Sequence, residues 1–376
     1  FCWGNPKAGG DCADVNFTGV TAVSSTSKSF VAVNEQDGKA QCWGGLNCSD
    51  VDLSGSPSIY SSEEAFCAWR KGSGGQCFPA HVDGGNCSHI AFQSVTSIYS
   101  NRDAFVALDE HHGTGQCWGA EDSGGSCDDI DFSGVTSIHS VPKAFLALKN
   151  ETGEGRCWGN RTSGGDCRNV DFRGITAIYG NLEAFVALSA TSGTGQCWGA
   201  QKHGGDCSRV NFTGVIDIVS TAYAFAALKE DGTVECWGLD EYGGMCESLA
   251  LHNVSALYST AVAFLAVFEN KTGTSWGNMV CSSIDFKGVT EVHTTRGDFI
   301  LLRIPNGTTT TGKPSRPPAK NSPRRWGLNY YIVMVALACT LIGCLLSVEQ
   351  QGLFSSSLYS RRRRMEMVEM NGTEYL

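Results

Sequence analysis

Cysteine is the residue type here whose spacing could do chemistry. Eighteen cysteines occur in 376 residues, and most stand in pairs ten apart: Cys2/Cys12, Cys77/Cys87, Cys117/Cys127, Cys157/Cys167, Cys197/Cys207 and Cys236/Cys246. Cys42/Cys48 is a shortened pair. Structural zinc takes cysteines two to four residues apart in doubled sets, and no such set exists. A redox C-x-x-C is also absent. What remains is a disulfide that staples a Gly-Gly loop back to a Trp-Gly strand, as in GRCWGNRTSGGDC at 155–167. Closing an eleven-residue loop is worth about 2.5–3 kcal/mol in the chain-entropy model. Cys67 reads as a buried thiol. Ser275 replaces the usual partner of Cys281, which leaves buried inertness as the first reading of Cys281 and a bridge to another chain as the second.

No catalytic constellation accompanies the cysteines. The eight histidines do not recur at one repeat position, and His111-His112 falls in a polar hairpin loop. No phosphate loop, nucleophile elbow or His-Glu-x-x-His motif appears. The acidic or amide pairs Asp14/Asn16, Asp50/Asp52, Asp129/Asp131 and Asn169/Asp171 could ring one rim of a repeat structure and hold calcium. Period-two alternation explains them more simply as the solvated face of an edge strand. The expectation is a protein without catalytic residues, metal or cofactor.

The elements that position these cysteines repeat with a period close to 40. The Trp of the CWG triplet falls at 3, 43, 118, 158, 198 and 237, with Phe78 and Trp276 in two altered copies. VTSI (95–98) alternates apolar and polar, and so does NVDF (169–172), which predicts strands. AFVAL is apolar throughout, as suits a strand covered on both faces, with Ala where sheets approach closely. Asp231-Gly232 and Asp37-Gly38 are hairpin turns. Three or four short strands per repeat with glycine turns describe the blades of an all-β propeller.

The string V-x-x-I…F-x-A-L-x-x-D-G-x-V-x-C-W-G-x-x-x-x-G-G resembles the repeat of the regulator-of-chromosome-condensation propellers, and the bacterial β-lactamase-inhibitor propeller is similar. The resemblance covers roughly residues 1–304. It implies a ring of seven blades and protein binding in place of chemistry. Nucleotide exchange and chromatin binding do not transfer to an acidic, cysteine-stapled head. The sequence departs from the family at the turn before the L-A-L strand, where S-x-x-x-A-F replaces a Gly-rich, His-containing turn, so family contacts from that turn are not carried over. Seven full repeats run from Val20 to Gly288 with half a repeat at each end. Pairing FCWG with VTEVHTTRGDFILLR is expected to close the ring through an eighth blade and remove the exposed sheet edge.

Residues 1–304 carry 19 Lys/Arg against 34 Asp/Glu, a net of −15, which repels phosphate backbones and excludes nucleic acid as a partner. Residues 305–329 form a basic Pro/Thr-rich stalk. Residues 330–348, YYIVMVALACTLIGCLLSV, are nineteen without a charge, long enough to span a bilayer as one transmembrane helix. The tail 349–376 contains four consecutive arginines at 361–364 that suit anionic headgroups; a sorting role for it or for Tyr375 is a weaker reading. The chain opens FCWGN without Met and reads as a fragment whose true N-terminus is missing, with any signal peptide in the missing part.

Basic residues flank both ends of the span, so sidedness comes from elsewhere. Disulfides persist outside the cytosol. Glycosylation sequons at Asn16, Asn150, Asn160, Asn211, Asn253, Asn270 and Asn306 all precede the span, as do Asn47 and Asn86, whose sequons contain Cys48 and Cys87. The expected protein is a single-pass type I membrane protein, at the plasma membrane or an endomembrane. Its extracellular or lumenal propeller binds a protein or glycan. The alternatives are an extracellular enzyme with a site in the channel, and an intracellular tail-anchored scaffold.

Overall fold

The computed structural model describes residues 1–34, 39–46, 48, 51 and 58–303. The Asp37-Gly38 turn, Asp50, Asp52, Asn47, Asn306, the stalk, the apolar span and the tail lie outside the described residues. No helix among the described residues is long and apolar enough to cross a membrane.

The described chain is all-β and forms eight antiparallel sheets in chain order. They are numbered here as blades one to eight by their middle strands: Ser29–Asn34, Phe66–Arg70, Ala104–Asp109, Ala144–Lys149, Ala184–Ser189, Ala224–Lys229, Ala263–Phe268 and Phe299–Arg303. The middle strands are the apolar AFVAL runs. Phe66, Phe105, Phe145, Phe185, Phe225 and Phe264 are all essentially inaccessible. The intervening Ala107, Ala147, Ala187 and Ala227 are buried too, which lets adjacent blades pack closely. Inner strands such as Ser97–Ser100 bury Ile98 on one side, as their alternation predicts. Serine hydroxyls then tie neighbouring inner strands together: Ser100 donates to the Ser61 carbonyl at 2.9 Å, and Ser220 to that of Gly180 at 3.0 Å.

Seven disulfides join Cys2–Cys12, Cys42–Cys48, Cys77–Cys87, Cys117–Cys127, Cys157–Cys167, Cys197–Cys207 and Cys236–Cys246. From Cys42–Cys48 onward each fastens a linker to the blade behind it, while the rest of that linker packs on the blade ahead; Cys2–Cys12 precedes blade one and closes the N-terminal turn on itself. After blade four, Cys167 is bonded to Cys157. The Gly164 carbonyl accepts the Trp198 indole N–H of blade five at 3.1 Å, and Phe172 meets the Trp198 ring edge to face. Trp198 also stacks on Phe185 with centroids 5.0 Å apart. The Gly-Gly pair is required by this contact. A Cβ on Gly164 would lie 2.6 Å from the Phe185 ring, and one on Gly165 would lie 2.5 Å from the Gly159 carbonyl oxygen.

Two expectations are corrected. The post-cysteine runs NVDF and RVNF are not strands. A glutamine side chain supplies the missing ladder instead: Gln196 accepts from the Asp171 N–H at 3.0 Å and donates to its carbonyl at 2.6 Å. Gln41 with Asn16 and Gln116 with Ala91 repeat this pairing. Once the disulfide anchors the run to the blade behind, the amide spans the distance to the blade ahead. Among the described residues only blade seven has a fourth strand, Cys281–Asp285. The closing pair also does not form. Blade eight has two strands, residues 1–4 form none, and Trp3 is half exposed. The N-terminal turn is instead tied to blade one, where the Trp43 indole donates to the Gly9 carbonyl at 3.2 Å.

Candidate functional site

Each repeat turns the chain twice at each end of its blade, which gives two rims. One carries the tight turns between inner and middle strands, together with the loops that follow the Trp strands. The other carries the hairpins between middle and Trp strands. The turn rim is held by a belt of backbone hydrogen bonds running from blade to blade. Ser27 N–H donates to Glu63 O at 2.8 Å, Glu63 to Arg102 at 2.7 Å, Leu182 to Ala222 at 3.1 Å, Ala222 to Ala261 at 2.8 Å and Ala261 to Arg296 at 2.9 Å. Equivalent turns of successive sheets touching in this way is the arrangement of propeller blades.

The belt is built from the S-x-x-x-A-F segment. The residue after the serine, or after Gly180 that replaces it in blade five, caps the turn: the Asn181 side-chain oxygen accepts from Glu183 N–H and Ala184 N–H, while its amide donates to His203 O at 2.6 Å. Asn101 does the same in blade three, and in blade six the Thr221 hydroxyl accepts from Ala224 N–H and donates to the Tyr242 carbonyl. With the backbone fixed, two side chains per blade are free to vary, and their chemistry changes around the rim. Blades three and four place Asp103 with Ser123 and Lys143 with Ser163 there. Asp103 is held above the usual carboxylate range chiefly by burial, against Arg102 and the Ser123 hydroxyl. Lys28 pairs with Glu64 at 2.5 Å, and Arg102 with Glu63.

Blades five and six differ. Glu183 and His203 Nδ1 lie 2.6 Å apart, the His203 ring is 4.6 Å from Tyr223, and Tyr223 meets Tyr242 edge to face at 4.8 Å. Leu182 beside them is 40% exposed. Burial raises the Tyr223 hydroxyl above its ordinary pKa, and the charge of Glu183 adds to this. Neither the Tyr223 nor the Tyr242 hydroxyl has a hydrogen-bond partner among the described residues. An apolar side chain, three rings, a carboxylate and two free hydroxyls on one rigid ledge can grip a partner, because aromatic residues bring large contact area with little conformational freedom to lose.

Among the described residues, the positions read as cation-binding candidates do not assemble a site. Asn16 and Asp131 each use a side-chain oxygen on the N–H two residues ahead, and Asp131 also takes Lys149 at 3.1 Å. Hydrogen bonds from Ser133 and Lys149 hold the Asp131 carboxyl down at about 2. Asp171 is engaged by Arg173. Among the described residues the metal-ligand types cluster only at Cys67, Cys77 and Cys87, with sulfurs within 4.8 Å of one another. Two of those sulfurs are already bonded together, so the cluster is no metal centre. Cys67 is fully buried opposite Cys77, and burial pushes its thiol up to about 12. Cys281, expected to be a buried inert thiol, is partly exposed and disulfide-bonded. His111 and His112 lie in a hairpin as expected, with His112 Nδ1 2.6 Å from Asp109.

A groove of 630 Å³ beside the Trp strand of blade four, between the linkers that precede and follow that blade, is lined by Asp128, Asp129, Glu154, Arg156, Asp166 and Arg168. Arg168 and Arg161 are both spent on Asp166, and Glu154 on Lys149, and the groove offers no apolar anchor comparable to the rim cluster.

Sequence reading missed Leu182, Glu183, His203, Tyr223 and Tyr242. The signal was present in the internal copies. At the residue before the A-F of the middle strand the repeats read Lys28, Glu64, Asp103, Lys143, Glu183, Tyr223 and Val262, varied chemistry on a constant frame.

No protein-family model matches the chain, and no curated protein matches it. Among solved structures it is similar to the entire ectodomain of the receptor kinase CR4 from Physcomitrella patens. That match has 16% identity over 68% of this chain and 72% of that one, with a TM-score of 0.39. It is similar also to the CRINKLY WD40 ectodomain of the Arabidopsis thaliana receptor kinase ACR4, at 13% identity, 66% and 92% coverage and a TM-score of 0.38. Yeast RCC1 (Prp20), in a complex with Kap60, matches at 12% identity, 74% and 79% coverage and a TM-score of 0.36.

Proposed function

We propose that residues 1–304 are a non-catalytic binding head on the extracellular or lumenal side of a membrane, held there by one helix over 330–348, and that it engages a protein through its turn rim. The observation that carries this reading is the set of seven disulfides, each closing a short loop. Such a set persists only in an oxidising compartment. The choice of the turn rim rests on the Leu182, His203, Tyr223 and Tyr242 ledge, whose composition is that of interface hot spots. Belt and disulfides together keep the ledge rigid, so little ordering opposes association.

The test of location uses sealed vesicles from cells making the full chain. Carbonate-resistant membrane association is expected, with the head protected from added protease and the tail cleaved. A head cleaved in intact right-side-in vesicles, or a chain washed off by carbonate, overturns the proposal. For the rim, Tyr223→Ala with Tyr242→Ala should abolish cell-surface binding by any partner found while leaving the disulfide map unchanged. Unaltered binding would move the interface elsewhere.

A further inference from the structure

The sequons are not spread evenly over the head. Asn150 and Asn270 lie in the hairpins of blades four and seven. Asn253 accepts from the Glu269 N–H of the blade-seven hairpin. Asn16 and Asn211 open turns that run into inner strands at the same end: Gly19 faces the Asn34 side chain, and Glu230 N–H donates to Gly214 O. Three unrelated positions in the repeat therefore converge on the hairpin rim. All five asparagines are exposed. Where the carboxamide is engaged, only its oxygen is used: Thr18, Thr213 and Thr272 N–H groups donate to Asn16, Asn211 and Asn270 at 3.0, 3.0 and 2.9 Å. The Nδ2 atoms point to no protein partner among the described residues, so a substituent there displaces no contact.

The turn rim is the opposite case. The asparagines of its inner-to-middle turns, Asn101 and Asn181, spend both ends of the carboxamide on capping hydrogen bonds, and Asn181 is buried. A sugar on either would remove a cap of the belt. Neither heads a sequon, because the third residue is Asp103 or Glu183. The inner-to-middle turns contain no sequon. On the loops that follow the Trp strands, Asn160 heads a sequon but is half buried as the cap of a 3-10 turn, and Asn86 heads an Asn-Cys-Ser sequon whose Cys87 is taken up in a disulfide.

We infer that the head is N-glycosylated on one rim, with oligosaccharides on Asn16, Asn150, Asn211, Asn253 and Asn270 covering the hairpin side and leaving the Tyr223 ledge bare. In each transfer Nδ2 attacks C1 of a sugar activated as a lipid pyrophosphate. The C1–O bond breaks, the pyrophosphate leaves on its carrier lipid, and one proton leaves the nitrogen. The inference rests on the extracytoplasmic location proposed above and deepens it, because bulky glycans on one rim direct a macromolecular partner to the other.

The test is made on the full chain from a glycosylating cell, before and after enzymatic deglycosylation in heavy-oxygen water, with an amine-acylating reagent as the accessibility probe. Isotope labels are expected at the five hairpin-rim asparagines. Acylation of Lys271 and Lys287 should rise severalfold on deglycosylation, and that of Lys28 and Lys202 on the turn rim should stay constant. Sugar concentrated on Asn86 and Asn160, or unmasking of Lys28 and Lys202 instead, overturns the one-sided arrangement. Disulfides intact with all five asparagines vacant sinks this inference alone. Vacant asparagines together with reduced cysteines throughout sink the location as well. As a second variant, Ser27→Asn creates a sequon on the turn rim with Lys28 and Ser29; its occupancy should newly mask Lys28, and no masking there would show that rim glycans do not shield the surface.

Discussion

Removing the Cys157–Cys167 disulfide, by replacing both residues with alanine, tests the claim that such a staple joins a linker to two blades. The closed loop holds eleven residues, for which the chain-entropy relation gives about 2.8 kcal/mol at 25 °C, a change of roughly a hundredfold in an unfolding equilibrium. Because the same linker holds Gln196, Trp198 and Phe185 of blade five, the loss should not stay within blade four. Native-state hydrogen exchange on the full chain is the suitable assay, since stability in repeat structures is distributed among neighbouring units. The Asp171 amide and the Trp198 indole N–H should exchange tens of times faster, with amides of blades four and five following, while blades one and seven stay unchanged. Protection lost only among the amides of blade four, with Asp171 and Trp198 unaffected, would refute the bridging role. A global loss spread equally over all blades would refute it too.

Gly165→Ala should destabilise by about 1–3 kcal/mol as overpacking, because the added carbon meets the Gly159 backbone, not a movable side chain; the urea midpoint reads it. Trp198→Phe keeps the stack on Phe185 but deletes the buried indole bond to Gly164, a loss of about 1–2 kcal/mol; Phe78, the natural occupant of this position in blade two, should tolerate mutation to leucine better. His139 stands where other blades have Tyr60, Tyr99, Tyr179 and Tyr258, and burial lowers its pKa from 6.5 to about 4. The unfolded chain binds that proton first, so this contribution is complete above pH 6.5 and is lost as pH falls toward 4, by at most about 3 kcal/mol. His139→Tyr should therefore flatten the stability profile between pH 6.5 and 4, measured as melting temperature against pH.

The blades were legible because the information that makes them is local. A buried AFVAL run, a Trp-Gly and a Gly-Gly at fixed offsets specify strand, stack and close approach within one repeat. The cysteine pairs were legible for the same reason, since both partners lie ten residues apart. Ring closure was not, because it depends on geometry accumulated over all the blades and not on any one repeat: Trp3 has the right neighbours in sequence and no partner strand in space. NVDF misled by its period, which suits an exposed strand equally well as a run bridged by a glutamine side chain. The rim ledge escaped because Glu183, His203, Tyr223 and Tyr242 come from separate turns of two repeats and meet only once blades five and six lie side by side.

The measurement that bears most directly on the central claim is the oxidation state of the head in the full chain isolated with its thiols trapped at the moment of lysis. Peptide mapping without reductant should recover Cys117 with Cys127, Cys157 with Cys167 and their counterparts as cross-linked pairs, with Cys67 alone carrying the trapping label among the cysteines of the middle strands. Finding label on both members of every pair would contradict it: the blades could still stand, but not as a covalently braced head.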